Sequence, residues 1–121
     1  MGVYVSVRGW LECDEKQLAA AQHIISSHAD DHYSRGWSTP QRQVNWTCYL
    51  FYGADIRASA LDWFSHQMAQ IARIPASDDD GDRVRGLFLA SHEVEGTTEW
   101  QIRDGRLVWS PADARHRYLD G

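Results

Sequence analysis

The sequence predicts an α+β domain: a mixed or mainly antiparallel sheet in the order β-α-β-α-β-β-β, with two helices packed on one face. Three observations carry this expectation. Residues 2–13 alternate apolar and polar with a period of two, the mark of a half-buried strand. Two segments with helical spacing of apolar residues follow, separated by a second alternating run. The C-terminal third then holds three short strand-like runs, two of them joined across Asp104-Gly105, a strong hairpin signal because a type I′ turn needs positive φ at both central residues.

In the first strand, Val3, Val5, Val7, Leu11 and Cys13 point one way, and Tyr4, Ser6, Arg8, Trp10 and Glu12 the other. Asp14 with Gln17 forms a capping box that opens a helix running to about His28, with Leu18, Ala21, Ile24 and Ile25 as its apolar stripe. Residues 29–43 read as a polar loop punctuated by Gly36 and Pro40. The second strand covers 44–52 and ends at Gly53. Val44, Trp46, Cys48, Leu50 and Tyr52 share one face, while Asn45, Thr47, Tyr49 and Phe51 share the other. Ser59 with Asp62 forms another box pattern, and Asp55 is the alternative start of the second helix. That helix continues to Ile74 with Ala60, Phe64, Met68 and Ile71 on one side, and Pro75 stops it. Residues 77–83 form an acidic loop. Strands are expected over 85–92, 98–103 and 106–109, and Tyr118 and Leu119 can dock the polar tail. Of the tryptophans, Trp46 and Trp63 are expected in the core and Trp37 at the surface.

With 121 residues, the chain reads as one domain, 1–121, able to bury a core without disulfides or metals. A hydrophobic share of 43% argues against wholesale disorder. The first ten residues lack a signal-peptide pattern and no apolar run is long enough to cross a bilayer, so the expected location is the cytoplasm, away from membranes. Cys13 and Cys48 do not form a CxxC motif and read as two buried free thiols.

The net charge is −5, built from 12 Asp and 5 Glu against 11 Arg and one Lys. Such a balance disfavours direct nucleic-acid binding and suits a basic protein partner. No GxSxG, GxGxxG or Walker A motif is present, and neither a cofactor nor a metal is expected. His28 and His32 stand four apart, and with Asp31 they suggest a metal set only if helical spacing holds. Asp78-Asp79-Asp80-Gly81-Asp82 fails the calcium-loop pattern, with Arg83 at the glycine position and Leu89 at the terminal glutamate position. His92 and Glu93 at the end of a strand are the nearest approach to a general base.

Gly9-Trp10-Leu11-Glu12-Cys13, Gly36-Trp37 and Glu99-Trp100-Gln101-Ile102-Arg103-Asp104-Gly105, together with size and acidity, resemble segments of small bacterial immunity proteins encoded beside polymorphic or contact-dependent toxins. The resemblance implies a cytoplasmic inhibitor, without catalytic activity, that occludes a cognate basic toxin domain. It assigns no residue roles. From the residues themselves, the expected partner-binding set is Trp10, Trp37, Tyr49, Asp78, Asp79, Asp80 and Asp82, combining aromatic anchors with carboxylates. The alternative is a small-ligand or sponge-type protein that uses Tyr4, Arg8, Phe51 and His92 on the open sheet face. A small hydrolase using His92 with Glu93, or His28 with His32, is the third reading.

Overall fold

The computed structural model describes residues 2–30, 32–40 and 46–120. Its elements are β1 (Tyr4–Cys13), α1 (Glu15–Ser27), β2 (Trp37–Ser38), β3 (Cys48–Arg57), α2 (Leu61–Ala72), β4 (Arg85–His92), β5 (Gly96–Arg103) and β6 (Arg106–Pro111). The strands form one sheet in the order β2-β3-β1-β4-β5-β6, antiparallel at every junction. No helix among the described residues is long and apolar enough to cross a membrane.

The period-two pattern sets which side is sealed. Val5, Val7, Leu11 and Cys13 of β1 are buried with Cys48, Leu50, Tyr52 and Ile56 of β3, Phe88 and Ala90 of β4, and Trp100 and Ile102 of β5. Against them α2 contributes Phe64, Met68, Ile71 and Ala72, and α1 contributes Ala21 flanked by Leu18, Ile24 and Ile25. Helix α2 therefore buries its stripe on one sheet face, and α1 packs beside it with Ala21 buried and Leu18, Ile24 and Ile25 half-buried, the α+β layering that the sequence implies.

The capping box is formed in full: the Gln17 amide N–H donates to Asp14, and the Gln17 side chain accepts from the Asp14 amide. Ser77 also donates to the Asp14 carboxylate, and this is the chief reason that its pKa lies below the ordinary carboxylate value. The β5–β6 hairpin turns with φ of 53° at Asp104 and 76° at Gly105, as a type I′ turn requires.

Four expectations are corrected. β3 does not end at Gly53. It pairs with β1 as far as Arg57, with Gly53 opposite Arg8. Helix α2 consequently starts neither at Asp55 nor in a Ser59–Asp62 box: a 3-10 turn at Ala58–Ala60 leads in, and the N-cap is Ala60, with no side-chain cap. Residues 44 and 45 lie outside the described residues, and Trp46, expected in the core, is 81% exposed. The β1–β3 ladder closes at Cys13–Cys48, because the chain turns into α1 at Asp14, so among the described residues β1 offers Trp46 no partner. Within the expected 29–43 loop, a 3-10 turn (Tyr33–Gly36) and β2 add a sixth strand. Trp37 pairs with Tyr52, which turns its ring to the helix side against Tyr52 and Phe64.

Cys13 and Cys48, distant in sequence, lie directly opposite on neighbouring strands. The Ala58 amide donates to the Val3 carbonyl in the same ladder, so odd-numbered residues of β1 occupy hydrogen-bonded pairs with β3, whose Cα atoms stand about 5.5 Å apart. Side chains meet less closely there than in the intervening pairs. Burial pushes the Cys13 thiol up to about 12 and raises Cys48 in the same direction. Since the thiolate is the reactive form and both side chains are buried, neither thiol is expected to react in the folded state. Mass-spectrometric counting of maleimide adducts near neutral pH should find none on the native protein and two after denaturation.

Candidate functional site

On the side away from the helices the strand register lines up an unbroken row. Phe51 stands opposite Trp10, Trp10 opposite Leu87, Leu87 opposite Gln101, and Gln101 opposite Val108. Five strands at about 4.8 Å spacing make this row roughly 19 Å long. Trp10, Tyr49 and Phe51 are exposed, and the Tyr49 and Phe51 rings stack with centroids 6.1 Å apart. Exposed apolar area gathered in this way marks a contact surface more often than isolated surface residues do.

Trp10 is held in place. Its Nε1 donates to Glu12 at 2.8 Å, and the other Glu12 oxygen accepts from Arg85 Nε at 3.3 Å. Arg85 is mostly exposed, so this ion pair adds little stability; its effect is to orient the indole.

Next to Glu12 the acidic loop begins. Glu12, Asp14, Asp78, Asp80 and Asp82 line a hollow of about 340 Å³ together with Arg83, Arg85 and the exposed Trp46. Five carboxylates against two guanidinium groups leave it negative. The loop is anchored at its base: Gln17, itself buried, donates from Nε2 to the Asp82 carbonyl at 2.9 Å, and Ser77 donates to Asp14. The capping box that starts α1 thus also positions the acidic loop beside the aromatic row.

Of the expected partner-binding residues, the structure brings together Trp10 and Tyr49 on the open face, with Asp78, Asp80 and Asp82 at its end. Asp79 is exposed on the same loop but does not line the hollow. Trp37 belongs instead to the aromatic core: its pairing with Tyr52 sends it inward, and its Nε1 is buried without a hydrogen-bond partner among the described residues. Sequence reasoning misses Trp46 as a surface residue, since its alternation with Cys48 and Leu50 points it inward. Leu87, Leu89 and Val108 join the face only through strand order.

The alternative set divides. Tyr4 and Arg8 line a separate recess at the opposite end of β1, whereas Phe51 belongs to the aromatic row. His92 is occupied locally. Its Nδ1 accepts from the amides of Val94 and Glu95, both at 3.1 Å, closing the β4–β5 turn. That nitrogen is consequently not free to act as a base. His28 caps the end of α1, its Nδ1 2.9 Å from the Ile24 carbonyl, so the chain leaves the helix before His32 and the helical spacing needed for a shared metal is lost. Asp31 lies outside the described residues. Among the described residues, no group of three His, Cys, Asp or Glu side chains is arranged to hold a metal ion.

In comparison with known proteins, no family model, no curated protein and no solved structure matches this chain.

Proposed function

We propose that this chain is a binding protein without catalytic activity, of the immunity type, which lays its open sheet face over a basic protein domain and occludes that domain's cationic active site. One observation carries the reading: the solvent-facing aromatic row runs directly into a negative hollow through Glu12, which touches both Trp10 and Arg85. Aromatic side chains in the middle of a contact and charge towards its rim form the usual division of labour at protein interfaces. The net charge of −5 adds long-range steering towards a basic partner. Trp46, projecting from the acidic end, supplies a further anchor.

The test is association with the protein domain encoded by the adjacent reading frame, followed by calorimetry at low and high salt. Trp10→Ala is expected to cost about 2 kcal/mol, a roughly 30-fold rise in Kd. Replacing Asp78, Asp80 and Asp82 together by asparagine should slow association and flatten its salt dependence. A complex that forms equally well with Trp10→Ala and with the triple variant would place the contact elsewhere and end this reading.

A further inference from the structure

At the end of the sheet opposite the acidic loop, the C-terminal 3-10 turn (Ala114–Leu119) folds back over the open face. It borders an open recess of about 630 Å³ whose lining includes Tyr4, Arg8, Asp55, Ser91, Glu93 and Asp120. Among the described residues, the charges in this recess do not pair. Among the described residues Arg8, half-buried, makes one long hydrogen bond, 3.4 Å to Ser91 Oγ, which leaves most of its five N–H donors without a partner there. Three carboxylates share the same space, yet none comes within ion-pair distance of Arg8 or of any other described cation.

Hydroxyl groups hold two of those carboxylates in place. Ser6 donates to Asp55 at 2.5 Å, and Thr97 donates to Asp120 while its Oγ1 lies 2.8 Å from Ser91 Oγ. Ser91 is only 7% exposed, so a polar group lies buried on a face that is otherwise open, directly beneath the guanidinium. Opposite charges held apart around one open recess match a molecule that carries both signs at a fixed separation. A guanidinium fork suits a carboxylate, and carboxylates suit an ammonium group. Tyr4, Tyr118 and Leu119 supply apolar wall for a side chain.

We infer that this recess binds a small zwitterion, a free α-amino acid or a dipeptide, with its carboxylate on Arg8 and its ammonium among Asp55, Glu93 and Asp120. This site is independent of the partner reading, since Trp10, Tyr49 and the acidic loop take no part in it.

The experiment uses the whole chain and three probes: L-phenylalanine, phenethylamine, which keeps only the ammonium group, and 3-phenylpropionate, which keeps only the carboxylate. Binding is followed by the NMR signals of Tyr4, Arg8 and Tyr118, after a general screen of the common L-amino acids at up to about 10 mM. An amino acid should shift these signals, with each half-probe binding at least about tenfold more weakly. Arg8→Gln should reduce L-phenylalanine to the level of phenethylamine, and Asp55→Asn with Glu93→Gln to the level of 3-phenylpropionate. Trp10→Ala should change nothing. The inference is overturned if no amino acid or dipeptide perturbs these signals, or if phenethylamine binds as well as L-phenylalanine and Arg8→Gln has no effect. Thermal melts of each variant separate lost binding from lost folding.

Discussion

Replacing Phe64 by alanine is expected to lower the unfolding free energy by about 3–5 kcal/mol, the range for truncating a fully buried aromatic side chain. Phe64 is 0% exposed and stands at the centre of the aromatic core. Its ring centroid lies 4.7 Å from that of Tyr52, 5.4 Å from Phe88, 5.8 Å from Trp100, 6.0 Å from Trp37 and 6.4 Å from Trp63. One side chain of α2 therefore touches β2, β3, β4 and β5. Its neighbours are rigid rings, some themselves hydrogen-bonded (Tyr52 to the Tyr33 carbonyl, Trp63 to the His28 carbonyl), and they collapse poorly into the space left behind. Denaturant unfolding should show a large fall in midpoint with little change in slope. Trp109 is the control: it stacks on Trp100 at 4.6 Å but is 52% exposed, so Trp109→Ala should cost much less. Equal losses at the two positions would mean that the core is not organised around Phe64.

Local chemistry was legible in the sequence where it acts alone. The Asp104-Gly105 turn and the Asp14–Gln17 box depend on a few consecutive residues, and both form. The Ser59–Asp62 pattern is of the same kind, yet it fails, because a neighbouring strand decides where β3 stops. Pairing with β1 carries β3 through Gly53 to Arg57, and the helix must begin after that. The two-residue strand β2 has no local signal at all; Trp37 is drawn in by Tyr52 and Phe64, a tertiary contact.

The same distinction divides the candidate site. Alternation alone places Tyr4, Arg8 and Trp10 on one face of β1, and Tyr49 and Phe51 on one face of β3. Which strands lie side by side is not written in alternation, so the continuation of the row through Leu87, Gln101 and Val108 emerges only with the sheet order. The recess over Arg8 was equally hidden. It needs the tail to return some hundred residues later and set Tyr118 and Asp120 beside a residue of the first strand.

Gly9 shows how tightly these surfaces depend on the packing beneath them. It lies on β1 between Val7 and Leu11, on the helix side, opposite Phe88 of β4 and Tyr52 of β3. A Cβ at this position would fall 2.0 Å from the Leu87 carbonyl oxygen and 2.7 Å from both Cα and Cδ1 of Phe88. No rotamer change relieves a clash with backbone; β1 and β4 must move apart. Gly9→Val is therefore expected to destabilise the fold by about 3 kcal/mol or more, at or beyond the upper end for overpacked cores. Gly9→Ala should cost nearly as much, since the first added carbon already clashes. Gly53→Ala is the matched comparison, a strand glycine whose Cβ would meet nothing within 4 Å, and it should be neutral to within about 0.5 kcal/mol. The flanking residues make this more than a stability effect. Arg8 and Trp10 sit on either side of Gly9, facing Leu89 and Leu87 across the junction that would open. If Gly9→Ala and Gly53→Ala unfold at the same denaturant concentration, β1 and β4 do not approach this closely. Both the aromatic row and the recess over Arg8 would then lose the register on which they are built.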